Sequence, residues 1–364
     1  MKNFKLKIKL LLYGFPFLDE YFAMDNFELK KEKVDFSSIN DVISKNSFIP
    51  AGYIYNCTFR LKNDENIYYS YFESVKNIEH TIPNNKAINK ESIMEYFSNL
   101  NDIEELINNF KKKLRLIFNL RIIFPISEII ILDENNKLID SFVEHNNFPA
   151  QFGLDESFDK EQFVKNSRVG FNLESFLLTE KNNVKFSRAI SLFNDSFDSS
   201  DISIRYLLLF SCLESLFLTS KKNITENLAL CTSRIFLYEN PKDEEELYRK
   251  IKNLYNYRCK FIHGQKTESI TYDLEMELRK IVRYVLLIYW HLCLSGKQSN
   301  QIIKILKNKE KISLQTKIYA NTIRCDNYED AYRENLEMIG IEISKGNVTI
   351  TEQENGVIKA IKEI

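Results

Sequence analysis

The sequence predicts an α+β protein in which a strand-rich domain is followed by an all-helical domain. In the first part of the 364-residue chain, apolar and polar residues alternate in short runs, which is the period of a half-buried strand. In the second part the apolar pattern becomes helical over several consecutive segments. We therefore predict an α+β domain over 1–150, a connection over 151–182, a helical bundle over 183–297 and a C-terminal extension over 298–364.

Strands dominate the N-terminal domain. In residues 4–12 the Phe, Leu and Ile side chains share one face and three lysines take the other, which predicts a half-buried strand. Segments 53–61 and 67–72 flank a polar KNDEN turn, so they predict a hairpin with aromatic cross-strand pairs. Segments 127–132 and 137–142 flank DENN and predict a second hairpin.

Helices are predicted in both domains. In the N-terminal domain they cover 91–99 and 102–117, with Asp102 and Glu105 as a capping box at the start of the second. In the second domain five helices are predicted, near 184–198, 201–219, 225–238, 243–263 and 272–294. Short connections between such helices favour antiparallel neighbours in a bundle.

The ends of these five helices carry recognisable signals. Asp201 is a predicted N-cap, and Thr225, with an acid one residue later, opens the third helix. Pro241 stands where a helix should start, while Gly264 and Gly296 come just past two helix ends.

The C-terminal extension is predicted to hold one more helix, followed by a hairpin around Lys345 and Gly346 within residues 339–353. It either covers the bundle or completes the N-terminal sheet.

Composition excludes several classes of protein. Lys and Arg number 50 and Asp and Glu 51, so a formal net charge of −1 leaves only a local patch for binding phosphate. The longest apolar segment, 207–218, is shorter than the roughly 20 residues of a transmembrane helix, and the N-terminus lacks the pattern of a secretory signal. The six cysteines are scattered without a C-x-x-C pair, so we expect no disulfide framework, no metal, no cofactor and a cytoplasmic location.

A basic run in the fourth predicted helix of the bundle is the most informative segment. Residues 247–266, LYRKIKNLYNYRCKFIHGQK, contain six basic side chains and no acid. Such a run either holds a phosphate backbone locally or forms a solvated helix face. Its tyrosines, at 248, 255 and 257, either stack on unpaired bases or pack half-buried against the core.

Arg258 and His263 in this run are suited to phosphodiester chemistry. Histidine exchanges a proton near neutral pH, and arginine offers a charged fork that matches phosphate oxygens. A spacing of five residues puts the two about 140° apart on an ideal helix. Both can reach one phosphate only if the helix unwinds near Gly264, or if two copies of the chain face one cleft across a two-fold axis.

At these residues the chain resembles the HEPN superfamily, and most closely the Apea-like HEPN group of bacterial antiphage proteins. The family's four-helix domain carries an Arg-x(4–6)-His motif near the end of its penultimate long helix. The matching positions are Leu213, Glu214 and Leu216 for the Leu-Glu-x-Leu pattern, and Tyr255, Arg258, His263 and Gly264 for the Tyr-x-x-Arg-x(4)-His-Gly pattern. The resemblance covers roughly residues 184–296.

The resemblance implies a metal-independent endoribonuclease that works as a homodimer. His263 would move a proton at the ribose 2′-OH or the leaving 5′-oxygen, and Arg258 would stabilise charge on the phosphate. The products would be a 2′,3′-cyclic phosphate and a 5′-OH. RNA, tRNA among the candidates, would be the substrate, and residues 1–150 would sense an infection, for example through a phage-derived trigger. The chain departs from the family at Cys259, where many active members carry a polar residue after the arginine.

Further residues are predicted to support catalysis or to bind RNA. We expect Tyr255, Cys259 and Glu214 to support the catalytic pair. Glu214 sits in an apolar helix and must find a partner, either Arg258, which would orient the catalytic guanidinium, or Arg234, which would be purely structural. Predicted RNA contacts are Lys252, Tyr257, Lys260 and Lys266. His291 is predicted to be a packed or surface histidine and not a ligand.

A different class of function fits the same residues. The helical domain could be a catalytically silent binding or dimerisation module that partners another defence or toxin–antitoxin protein. The geometry of His263 separates the two functions: the nuclease needs both His263 side chains accessible to solvent in one basic cleft across a dimer, whereas burial of His263 in a core would favour the silent module.

Overall fold

The computed structural model describes residues 2–11, 23–24, 27–33, 58–60, 67–80, 100–119, 122, 124, 126–145, 173–219, 222–238, 240–264, 270–325, 328–344, 349–352 and 358–361. The chain forms two compact units. The first contains residues 1–115 and 120–160, and the second contains residues 116–119 and 161–364. The division at residue 160 falls within the predicted connection.

An antiparallel sheet forms the first unit. Its strands are β1 (Lys2–Leu11), β2 (Ala23–Met24), β3 (Phe27–Lys33), β4 (Thr58–Arg60), β5 (Ile67–His80), β6 (Ile126–Asp133) and β7 (Leu138–His145). They are ordered β2-β3-β5-β1-β6-β7, and β4 also pairs with β5. The prediction for β1 is confirmed, since Leu6, Ile8 and Leu10 are buried while the alternate lysines stay partly exposed.

Both predicted hairpins pair as expected. β6 and β7 join through a turn in which the Asp133 carboxylate accepts backbone hydrogen bonds from Asn135 and Lys137. β4 pairs with the start of β5 over three residues. The predicted residues 53–57 lie outside the described part of the chain.

One helix, α1 (Leu100–Phe118), accompanies the strands. Phe110 on this helix stacks on Phe27 with ring centroids 4.1 Å apart and meets the edge of Phe72 at 4.9 Å. These rings form the apolar core of the first unit. The capping-box prediction is wrong, because α1 begins two residues before Asp102 and includes it. The predicted helix 91–99 lies outside the described residues.

The described residues of the second unit are helical apart from one two-stranded antiparallel sheet. Its described helices are α2 (Leu173–Asn182), α3 (Val184–Asp198), α4 (Ile202–Phe217), α5 (Ile224–Ile235), α6 (Pro241–Ile262), α7 (Tyr272–Leu294), α8 (Ser299–Asn308), α9 (Leu314–Arg324) and α10 (Tyr328–Ser344). The five predicted helices correspond to α3 through α7. The α+β class is therefore confirmed for the described residues.

Most of the helix ends predicted from local sequence signals are confirmed. The Asp201 carboxylate accepts from the amides of Ser203 and Ile204, so it is the N-cap of α4. Pro241 is the first residue of α6. Gly264 and Gly296 have φ of 64° and 82°, a left-handed conformation that favours glycine after a helix.

Four predictions about the second unit are wrong. The C-terminal extension contains three described helices, α8, α9 and α10, where one was predicted. Helix α5 is preceded by Asn223 as N-cap, so Thr225 lies inside it. The predicted connection contains α2, which packs against α3 and α7. The first half of the hairpin predicted within 339–353 is wrong, because α10 extends to Ser344, and Lys345 and Gly346 lie outside the described residues. β8 (Thr349–Glu352) pairs with β9 (Ile358–Ile361) in a separate two-stranded sheet.

Helix α7 is the centre of the second unit. Almost every side chain from Ile281 to Leu292 is buried, including Tyr289 and the single tryptophan, Trp290. A helix that is apolar around its whole circumference is one that other helices surround. Helices α2, α3, α4, α5, α8 and α9 all pack against it.

Candidate active site

The site is built where α6 packs against α4. The Tyr206 hydroxyl donates a hydrogen bond of 2.7 Å to the carbonyl oxygen of Leu254. One residue further on, the ring of Tyr255 meets Phe210 edge to face at 5.3 Å. These contacts fix which face of α6 lies against α4, and they bring Tyr255 and Arg258 to Glu214.

Glu214 is the acceptor of a compact cluster. The Tyr255 hydroxyl donates to Glu214 Oε1 at 2.7 Å, and Arg258 Nη2 lies 3.0 Å from the same oxygen and 3.3 Å from Oε2. The side chains of Arg258 and Glu214 are 22% and 20% exposed. At that degree of burial a carboxylate needs both donors to offset the loss of water.

The two expected partners of Glu214 are thus distinguished. Glu214 pairs with Arg258, while Arg234 pairs with Glu244 at 3.2 Å and donates to the carbonyl oxygens of Leu306 and Lys307. Arg234 joins the end of α5 to the start of α6 and the end of α8. The purely structural pairing of Glu214 is wrong.

Tyr255 supports Arg258 in a second way. The guanidinium carbon of Arg258 lies 5.1 Å from the centre of the Tyr255 ring, within the range of a cation–π contact. Burial and the hydrogen bond to Glu214 raise the pKa of Tyr255 well above its usual value, so the phenol stays a donor at neutral pH. Arg258 Nε is buried and has no hydrogen-bond partner among the described residues.

His263 lies at the exposed end of α6. It is the C-cap residue, its amide donates to the carbonyl oxygen of Cys259 at 3.1 Å, and its side chain is exposed. The helix therefore stays wound up to Ile262, and the unwinding that would bring Arg258 and His263 to one side does not occur. Within one chain the two remain about 140° apart around α6.

Gly264 ends the helix directly after the histidine. Its φ of 64° is one that an L-residue adopts only with strain, and its amide closes a tight turn onto the carbonyl oxygen of Phe261. Phe261 and Ile262 are exposed beside it, at 40% and 47%. The end of α6 thus presents an imidazole together with two apolar side chains.

In the folded chain, acidic side chains neutralise most of the basic run 247–266. Three of its cations pair with acids: Arg249 with Glu245 on the same helix, Lys250 with Glu277 on α7, and Lys252 with Glu226 on α5. With Arg258 on Glu214, four of the five basic residues described in this run have an acidic partner. These acids lie just before the run on α6 or on neighbouring helices, so the sequence of 247–266 alone does not show them.

The remaining predicted site residues are placed as follows. Lys260 is exposed on the last turn of α6, and Tyr257 and Cys259 are half-buried against the core. Lys266 lies outside the described residues. Lys252 lies 3.6 Å from Glu226 and 5.5 Å from the centre of the Tyr248 ring, so a contact with RNA would have to compete with both.

The other candidate groups pack into the protein. His291 is half-buried and stacks on Tyr319 at 4.3 Å, and burial lowers its pKa. The described cysteines are free thiols, and burial raises the pKa of Cys231 and of Cys293 to about 11. Among the described residues no group of three or more His, Cys, Asp or Glu side chains could hold a metal ion.

Comparison of the chain with models of protein families, with curated proteins and with solved structures gives no match. None of the helices in the described parts of the chain has the length and apolar character needed to cross a membrane.

Proposed function

We propose that this chain is a metal-independent endoribonuclease with a HEPN-type helical domain, acting in antiphage defence. It cleaves RNA to 2′,3′-cyclic phosphate and 5′-OH ends. The observation that carries the proposal is the Glu214–Tyr255–Arg258 cluster, which fixes a guanidinium on the helix that ends at the exposed His263.

The reaction needs one charged donor and two proton transfers. The ribose 2′-oxygen attacks phosphorus after losing its proton, and the bond from phosphorus to the 5′-oxygen breaks as that oxygen gains a proton. Arg258 stabilises the charge that grows on the phosphate oxygens. The imidazole of His263 takes or gives the protons. DNA lacks the 2′-hydroxyl and is not a substrate.

Two copies of the chain complete this site. Because α6 stays wound, Arg258 and His263 of one chain point to different sides of the helix. A two-fold arrangement sets Arg258 of one copy beside His263 of another, so a dimer has two sites, each with one guanidinium and one imidazole. The exposed Phe261 and Ile262 next to His263 provide apolar surface for such an interface.

RNA integrity in expressing cells tests the proposal. Wild-type protein should produce RNA breaks whose 2′,3′-cyclic phosphate ends are mapped in vitro in the presence of EDTA, and His263→Ala should abolish them. Asn253→Ala is the matched control, since Asn253 is exposed on α6 ten residues before His263. Cleavage that survives His263→Ala, or that requires a metal ion, would contradict the mechanism.

A second function is favoured by the pairing of the basic run. Four of its described cations are matched by acids, and Cys259 follows Arg258, which suits a silent module that binds a partner protein. In that case neither protein cuts RNA in uninfected or in phage-infected cells. Silence in both would decide for the module, because infection would release a restrained nuclease.

A further inference from the structure

The second unit contains a cavity at the N-terminal end of α6, the end opposite to His263. It has a volume of about 260 Å³ and is open to solvent. Four segments form it: the end of α5, the first turn of α6, the end of α8 with the turn after it, and α9. Its lining residues are Arg234, Leu237, Tyr238, Glu244, Ile305, Leu306, Lys309, Glu310, Lys311, Ile312 and Lys317.

The cavity is positively charged on a protein that is almost neutral overall. Four cationic and two acidic side chains line it, so its formal charge is +2 against −1 for the whole chain. Both acids are engaged. Glu244 binds Arg234 at 3.2 Å through one oxygen and Lys309 at 3.1 Å through the other, and Glu310 accepts from Asn308 at 3.3 Å.

Arg234 forms a fixed part of the wall. Its side chain is 19% exposed and is held by Glu244 and by the carbonyl oxygens of Leu306 and Lys307, at 2.9 and 2.5 Å. Three lysines also line the cavity, Lys309 and Lys311 from the turn after α8 and Lys317 from α9. Flexible ammonium groups are common phosphate binders.

The rest of the wall is apolar. It consists of Leu237, Tyr238, Ile305, Leu306 and Ile312. The Tyr238 ring stacks on Phe236 with centroids 5.6 Å apart, and its centre lies 4.9 Å from the guanidinium carbon of Arg324. A site for inorganic phosphate alone would have no use for such a surface, whereas a phosphate ester with a planar or apolar part would cover it.

We propose that this cavity binds a phosphate monoester with a small planar or apolar group, of which a 5′-mononucleotide is the model. The phosphate lies among Lys309, Lys311 and Lys317, and the organic part lies against Leu237 and Ile305. A phosphate monoester carries about −1.5 to −2 charges at neutral pH. That charge matches the +2 of the lining.

Calorimetric titration of the full-length protein tests this site. The ligands are the four 5′-mononucleotides, glycerol 3-phosphate and adenosine. A mononucleotide should bind at least tenfold more tightly than glycerol 3-phosphate, which lacks the planar part, and than adenosine, which lacks the phosphate. Failure of every phosphate ester to bind, or equal affinity for adenosine and AMP, would overturn the proposal.

Substitutions then locate the site. Lys311→Met with Lys317→Met should raise the dissociation constant at least tenfold, and Lys311→Met alone should raise it about threefold. The matched control is the double variant Lys280→Met with Lys297→Met. Both lysines are exposed and lie outside the cavity, so the dissociation constant of the mononucleotide should stay unchanged. Equal losses in both double variants would show nonspecific binding and overturn the assignment. His263→Ala should keep full affinity, so this site is tested independently of nuclease activity.

Discussion

At the scale of residues, the Glu214 carboxylate determines how the candidate site is held. It accepts from a phenol and a guanidinium that both come from α6, three residues apart. Each donor satisfies part of the carboxylate, and the Tyr255 ring also covers the guanidinium. Arg258 is thereby fixed before any substrate arrives, which is what stabilisation of a developing charge requires.

Removing one hydroxyl from this cluster should be measurable. Tyr255→Phe deletes the donor to Glu214 and should lower the free energy of unfolding by about 1–2 kcal/mol, because the acceptor is charged and mostly buried. Tyr257→Phe, two residues away and half-buried, should change it by less than about 0.5 kcal/mol. Urea unfolding followed by far-UV circular dichroism compares them, and equal effects would contradict the role given to the hydroxyl.

Sequence reasoning could predict the members of this cluster but not its pairing. The Glu214 carboxylate lies in an apolar helix and needs a cationic partner. The sequence offered both Arg234 and Arg258 and gave no reason to prefer one of them. The choice depends on the rotation of α6 against α4, which long-range contacts such as Tyr206 to Leu254 decide. The neutralised basic run escaped prediction for the same reason, since Glu226 and Glu277 lie on other helices.

At the scale of elements, prediction succeeded where a local signal ends a helix. Asp201, Pro241 and Gly296 mark boundaries through their own hydrogen bonds and backbone angles, so α4, α6 and α7 were predicted to within two residues. Helix α2 was missed because its ten residues carry only a weak apolar stripe in a segment that looks turn-rich. Its existence depends on packing, which provides most of the stability of short helices.

The sheet contains an element-scale ion cluster with a defined pH dependence. Glu73 on β5 is 6% exposed, lies 2.6 Å from Lys7 on β1, and also pairs with Lys30 on β3. Burial alone would raise the pKa of this carboxyl, but hydrogen bonds from Lys30 and Lys7 bring the pKa below its usual value. The ionised form therefore stabilises the sheet above the unfolded pKa of 4.5, and this contribution is lost as the pH falls below it.

Glu73→Gln should remove that contribution. At neutral pH we expect the amides of β5 to exchange about 30-fold faster in hydrogen-exchange mass spectrometry, which corresponds to about 2 kcal/mol for a buried carboxylate that loses its charge beside two lysines. The difference from wild type should shrink as the pH falls below 4.5. Glu134→Gln in the exposed β6–β7 turn is the control, and a difference that persisted at acid pH would contradict the assignment.

At the scale of the whole molecule, the proposed nuclease is a property of two chains. The wound end of α6 separates Arg258 from His263 within a single chain, so the unit of the proposed function is a pair. The net charge of −1 and the acids facing the basic run mean that the proposed nuclease would bind RNA through few contacts. A second copy would double those contacts as well as complete the chemistry.

Mixing inactive subunits tests this view. Arg258→Ala and His263→Ala chains, combined in equal amounts and allowed to exchange, should regain about a quarter of wild-type cleavage. About half of the random dimers then contain one chain of each kind, and each of these has one of its two sites intact. Either variant alone should stay inactive. If Arg258 and His263 acted from the same chain, no activity would return on mixing.

Trp290 has a consequence for how this molecule can be observed. It is the chain's single tryptophan, is 2% exposed in α7, and meets Phe176 edge to face at 6.3 Å. Its fluorescence therefore reports the interior of the helical unit, while the first unit contributes no tryptophan signal. Emission that shifts to longer wavelength before or after the loss of β-sheet would reveal whether the two units unfold separately, without any added label.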